Sequence, residues 1–206
     1  MFDIVINNYE VFFIAWNLFL LIIPFFLCRL LSRFYDANKF KSWHNKFIGL
    51  FIAFLWLIFI PNTIYVIADM RHIIGFCPVN EKNICISNAW MIMFFFTYAS
   101  IGWVAFVYLI NQMKDTMKKI FSYFNTLVYL FFIMPVISLG MLLGLINRWN
   151  SWEVFISPSN IINDAIKYIT EFTYFINWLL FTIFLYILYF AGNYIFKPKL
   201  TSRKRN

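Results

Sequence analysis

Ile60-Pro61-Asn62-Thr63-Ile64-Tyr65-Val66-Ile67-Ala68-Asp69-Met70-Arg71-His72 ends a long apolar run with a proline, an asparagine and then three ionisable residues. The uninterrupted apolar part, Phe47 to Ile60, is too short to cross a bilayer, which takes about 20 helical residues. The helix is therefore expected to continue through Pro61, giving a span over 47–67. Proline inside a span is tolerated where neighbours satisfy the carbonyl it frees, so a kink at Pro61 is expected. At helical spacing Asn62, Tyr65, Asp69 and His72 lie three, four and three residues apart and share one face. A bilayer penalises a polar stripe of this kind, which makes it a candidate site.

Composition places that stretch in a membrane. Of 206 residues 63% are hydrophobic and 13% charged, where a soluble domain carries about a quarter charged. The apolar runs are continuous rather than alternating, which excludes a β-barrel. The fold class is an all-α, polytopic transmembrane bundle forming one domain, with spans expected at about 9–28, 47–67, 88–110, 121–146 and 172–196. Met1–Glu10 carries Asp3 and Glu10 and no basic residue, which argues against a cleaved signal peptide. Asn17, alone in the first span, is read as a hydrogen-bonding partner for a neighbouring helix. Thr97, Ser100 and Gly102, and the pair Gly140 and Gly144, are small residues suited to close helix packing. The segment 154–168 has amphipathic character suited to the membrane surface.

Charge sets the expected topology. Arg29, Arg33, Lys39, Lys41 and Lys46 follow the first span, Lys114, Lys118 and Lys119 the third, and five more basic residues fill the tail 197–206. Only Asp36 and Asp115 oppose them on that side. By the positive-inside rule the N-terminus is outside and the C-terminus cytoplasmic, in the cell membrane. The net charge of +8 is then a mark of topology and not of nucleic-acid binding.

That topology gathers two polar segments on the outer face. Asp69, Arg71 and His72 end the second span, and Arg148-Trp149-Asn150-Ser151-Trp152-Glu153 follows the fourth. Taken singly, Arg148, Glu153 and the tryptophans fit ordinary helix-end anchors, and Asp69 with Arg148 fits a packing ion pair. As an assembled cluster they offer more hydrogen-bonding capacity than an anchor needs.

Pro61-Asn62, Tyr65, Asp69 and His72, followed by Arg148–Glu153, resemble a bacterial integral-membrane family catalogued as domain of unknown function thirteen sixty-one. Its hallmarks are a Pro-Asn…Tyr…Asp…His segment and an Arg-Trp-Asn-Ser-Trp-acid segment, and Asn17-Leu18 also fits. The resemblance extends over most of the chain. Glu153 stands where the family is expected to have Asp, and Ile64 and Ala68 where a second proline and a threonine are usual. The resemblance implies membrane location and shared motifs, and no known activity.

Two functional classes follow. In the first, a membrane enzyme acts at the outer leaflet on a lipid or anionic envelope substrate, as a hydrolase or transferase. Asp69, His72 and Glu153 are its candidate catalytic groups; Asn62, Tyr65, Arg148, Asn150, Ser151 and Trp152 would bind substrate. Nothing around Ser151 resembles a nucleophile elbow. Asp69, His72 and Glu153 lack a metal-site spacing, so neither metal nor other cofactor is expected. In the second class the same cluster serves binding or packing in a permease component or envelope-complex subunit, as a homo-oligomer or with a membrane partner. Five spans without an inverted repeat argue against a self-contained transporter. Cys77 and Cys85, eight positions apart, fit either a disulfide or two free thiols, and Cys28 is expected to be reduced.

Overall fold

A computed structural model describes residues 5–6, 9–70 and 89–196. Apart from a two-residue antiparallel pairing of β1 (Val5–Ile6) with β2 (Tyr9–Glu10), all regular structure among these residues is helical. Five helical segments are long and apolar enough to cross a membrane, as composition requires. They are α1 (Val11–Asn38), α2 with α3 (Trp43–Phe59 and Pro61–Ala68), α4 (Ala89–Ile120), α5 (Thr126–Leu145) and α8 (Phe172–Phe196). Two shorter helices, α6 (Glu153–Ile156) and α7 (Pro158–Thr170), lie between α5 and α8. Arg71, His72, Cys77, Cys85 and the basic tail lie outside the described residues.

The long helices outrun their apolar stretches. At 28 and 32 residues, α1 and α4 reach about 42 and 48 Å, against a hydrocarbon core of about 30 Å. Loss of hydropathy marks the edge of the bilayer, but the backbone remains hydrogen-bonded in water. The helices therefore carry Arg29, Arg33 and Lys114 to Lys119 beyond it. The chain reverses after α1 through Lys39 and Phe40, both left-handed at φ 47° and 49°.

Pro61 divides the second span. It has no N–H to donate, and two residues on, Thr63 N–H reaches back only three residues to the Ile60 carbonyl at 3.1 Å. Thr63 Oγ1 donates to the same carbonyl at 2.8 Å. Pro135 in α5 breaks no helix, because the neighbouring helix compensates. Tyr186 Oη on α8 donates to the carbonyl of Leu130 at 3.1 Å and to that of Phe131, the one Pro135 frees, at 3.4 Å. Trp178 Nε1 donates to the Pro135 carbonyl itself at 2.9 Å.

Segment α3 is the hub, with α1, α4 and α5 all packed on it. Gly102 of α4 lets that approach happen: a Cβ there would lie 2.6 Å from the Thr63 carbonyl oxygen. Gly140 of α5 does the same on the other flank, where a Cβ would fall 2.7 Å from the Pro61 ring. Ile60, Thr63, Ile64 and Val66 are fully buried in consequence. The bundle is completed by α8 against α4 and α5, and by α7 laid on α8. Tyr168 of the amphipathic α7 is buried against this frame, while Ile162, Ile166 and Ile169 stay exposed. Phe26, Leu50, Met93, Phe131 and Leu180 are likewise exposed, as side chains facing lipid tails would be.

Candidate functional site: a cavity at one end of the bundle

Helices α1 and α5 flank α3 without packing along one another, and the gap between them is a cavity of about 780 Å³. Its floor is the broken second span, from Leu57 and Ile58 through Pro61, Asn62 and Tyr65 to Asp69. Phe12, Phe13, Trp16 and Asn17 of α1 form one wall; Val136, Gly140 and Gly144 of α5 form the other. The segment Arg148–Trp152 closes the end. Trp16 meets Trp152 edge-on, ring centres 6.1 Å apart, across the rim.

Of the site residues named from sequence, all but His72 fall within the described residues. Asp69, only 2% exposed, accepts a hydrogen bond from Asn17 Nδ2 at 2.9 Å and from Tyr98 Oη at 3.4 Å. Asn17 is therefore the interhelical partner its isolation implied. Tyr65 and Asp69 line the same cavity as Arg148, Asn150, Ser151 and Trp152. The two motif segments, some 80 residues apart in sequence, thus share one chamber. His72 lies outside the described residues.

Asn62 and Ser151 line the cavity but are already engaged with backbone. Asn62 Nδ2 donates to the Phe59 carbonyl at 3.0 Å and to Ser151 Oγ at 3.0 Å. Ser151 Oγ donates in turn to the Ile58 carbonyl at 3.2 Å. Ile58 is the residue whose usual partner, four positions on, falls within the disrupted turn after Pro61. Both side chains therefore repair the break, and the Ser151 proton points at a carbonyl and not at a base. Glu153 is absent from the cavity wall. One of its oxygens accepts both the backbone N–H and the side-chain amide of Asn150. Glu153, the first residue of the short α6, thereby ties the start of that helix back to Asn150.

Arg148 has φ 63°, a left-handed conformation that costs a non-glycine residue roughly 1 kcal/mol or more. The turn is held open by Trp149, whose N–H reaches the Leu143 carbonyl at 3.2 Å and whose indole Nε1 donates to Asp164 Oδ2 at 2.8 Å. Asp164 Oδ1 accepts from Lys167 Nζ at 2.7 Å. The Lys167 ammonium first, and then the Trp149 indole, hold the Asp164 carboxyl below its ordinary range. The same bond raises Lys167. Tyr168 Oη donates to Asn147 Oδ1 at 3.1 Å, a second tether of the loop to α7.

Sequence reasoning missed Tyr98, the cavity wall of Phe12, Phe13 and Trp16, and the Trp149–Asp164–Lys167 tether. A tyrosine or phenylalanine within an apolar run carries no local signal of facing a chamber. The tether had one usable sign, the three-residue spacing of Asp164 and Lys167 on an amphipathic helix.

Fold and cavity together define a multi-pass α-helical membrane protein with a polar-ended chamber open between two of its spans. The chain belongs to the family described as Protein of unknown function (DUF1361), whose model matches residues 16–188. That region begins at the cavity's Trp16 and includes both motif segments. No curated protein and no solved structure matches the chain.

Proposed function

We propose that this is a cell-membrane protein, oriented with its N-terminus outside, that holds an amphiphilic lipid or envelope substrate in the cavity. The polar head lies against Asp69, Tyr65 and Arg148, and the apolar tail lies along Phe12, Phe13 and Val136. One observation carries this reading: both polar motif segments line a single chamber whose walls are otherwise aromatic and aliphatic. The distribution of basic residues supports the orientation.

At the head group, Asp69 acts as proton acceptor, with His72 as the candidate second group. Water or an acceptor hydroxyl attacks the acyl or phosphoryl centre as the bond to the leaving oxygen breaks; the proton of the attacking group passes to Asp69, which hands it on to the leaving oxygen. Arg148 grips the anionic group during this exchange. Ser151 is not assigned as nucleophile, because its hydroxyl is spent on the Ile58 carbonyl.

A second reading, binding without chemistry, is favoured by how many motif groups are already consumed: Asn62 and Ser151 by backbone, Glu153 by Asn150. Two variants separate the readings. Asp69→Asn keeps shape and removes the base; Arg148→Gly relieves the left-handed backbone and removes the cation. Purified protein is assayed for co-purified amphiphile by mass spectrometry, and cells for their lipid and envelope profile. Chemistry predicts that Asp69→Asn keeps its amphiphile but reproduces the profile of the deletion. Binding alone predicts that only Arg148→Gly disturbs either readout. Wild-type behaviour of both variants in both assays sinks the site.

A further inference from the structure

The opposite, basic end of the bundle carries a second concavity that the first site does not explain. It has a volume of about 460 Å³ and lies between α1 and α4, lined by Arg29, Ser32 and Arg33 on one helix and Tyr108, Gln112 and Lys119 among those on the other. Arg29 and Arg33, one turn apart, point into the same groove. Neither pairs with a carboxylate among the described residues: Lys39 and Lys119 share Asp36 at 3.6 and 3.9 Å, and Asp115, which also lines the groove, is taken by Lys118 at 4.0 Å. The Arg29 guanidinium lies 4.9 Å from the Phe25 ring centre, and that ring stacks on Tyr108 at 4.9 Å. An aromatic pair thus fixes the cation at the groove mouth.

Two details go beyond a generic basic rim. Gln112 Oε1 is buried against the groove with no hydrogen-bond donor among the described residues, an acceptor that costs free energy until a hydroxyl or amine reaches it. Phe26 and Leu30, beside the arginines on α1, are exposed apolar side chains. A ligand here meets, in order, guanidinium pairs, a lone acceptor and an apolar track.

We infer that this groove binds the head group of an anionic glycerophospholipid, its phosphodiester between Arg29 and Arg33 and a head-group hydroxyl donating to Gln112 Oε1. Phosphatidylglycerol has this chemistry: one negative charge flanked by a free hydroxyl on one side and acyl chains on the other. A soluble phosphate would leave the Phe26–Leu30 track unused. The inference is independent of the cavity at the other end.

The test uses the full chain in nanodiscs of phosphatidylcholine doped with phosphatidylglycerol or phosphatidic acid, stripped with detergent and weighed by native mass spectrometry. Wild type should retain phosphatidylglycerol over phosphatidylcholine, and millimolar inorganic phosphate should not displace it. The double variant Arg29→Gln/Arg33→Gln should lose that retention by roughly tenfold or more. Lys39→Gln/Lys41→Gln removes equal charge from the same side outside the groove and should leave retention unchanged. Gln112→Met should abolish the preference for phosphatidylglycerol over phosphatidic acid while keeping anionic binding, a readout that survives even if the arginine variant folds poorly. Equal loss in both double variants would reduce the effect to general surface charge and overturn the site. Full displacement by inorganic phosphate would overturn the lipid assignment. Unchanged selectivity in Gln112→Met would overturn the hydroxyl contact.

Discussion

Replacing Gly102 by alanine should loosen the bundle, whereas the same change at Gly144 should not. At Gly102 a Cβ would sit 2.6 Å from the Thr63 carbonyl oxygen and 3.1 Å from two Val66 carbons. A relaxed carbon–oxygen contact is about 3.3 Å or longer, so α3 and α4 must part by roughly 0.7 Å at a point where the obstacle is backbone. Overpacking of this kind costs about 1–3 kcal/mol. Alanine returns up to about 1 kcal/mol of helix propensity, leaving a net loss of up to about 2 kcal/mol. At Gly144 the nearest atoms lie at 3.5, 3.7 and 3.9 Å, ordinary contact distances, so only the propensity gain remains. The assay is thermal unfolding in detergent, read by a fluorogenic maleimide. In a Cys77→Ser/Cys85→Ser background Cys28 is the one thiol left, and it is fully buried against Thr116 of α4. Gly102→Ala should lower the midpoint by up to about 6 °C and Gly144→Ala should hold or raise it. A Gly102→Ala midpoint equal to that of Gly144→Ala would refute the claim that α3 and α4 touch through backbone.

Tyr186→Phe should cost about 1–2 kcal/mol, because it strips the donor from the carbonyls beside Pro135. In a Pro135→Ala background the Phe131 carbonyl can regain its own helix bond, so the same change should cost clearly less; equal losses in both backgrounds would dissociate the tyrosine from the proline. The Trp149–Asp164–Lys167 tether predicts a pH dependence. A carboxyl depressed in the folded state stabilises fully above its ordinary value near pH 4, and that contribution is lost as the pH falls through the lower folded value. The midpoint of Asp164→Asn should accordingly converge on that of wild type under acid and diverge above about pH 5; a constant gap across the range would contradict the tether.

How much of this could be read from sequence depends on the range of the interaction. The broken span was legible, because the shortfall of apolar length before Pro61 and the helical spacing of Asn62, Tyr65 and Asp69 are both local quantities. The five spans were legible for the same reason, although their helices continue to Asn38 and Ile120 where hydropathy has already ended. The meeting of Asp69 with Tyr98 was not legible, since a tyrosine inside Trp90–Ile110 reads as one more apolar residue. Nor were the roles within Arg148–Glu153. Four polar residues and two tryptophans in a row give no hint that Ser151 would point at α2 and Glu153 back at its own loop. Those directions follow from the left-handed turn at Arg148, which a non-glycine residue does not advertise.

The helix break and the cavity are one construction. A proline at position 61 strands carbonyls inside a membrane, where an unmet acceptor is costly. The chain meets them with Asn62 from the same helix and Ser151 from the loop after α5. Docking Ser151 onto Ile58 carries its neighbours Arg148, Asn150 and Trp152 over the gap between α1 and α5, so the repair also closes the chamber. Residues of that repair cannot be changed without disturbing both stability and the chamber, and a lost phenotype at Asn62 or Ser151 is uninformative about chemistry. Tyr65 and Arg148 also line the chamber, and the bonds that Asn62 and Ser151 make to the Phe59 and Ile58 carbonyls do not run through them. A variant series that spares the repair and alters Tyr65, Asp69 and Arg148 is the one in which loss of function, with the fold intact, speaks for the site.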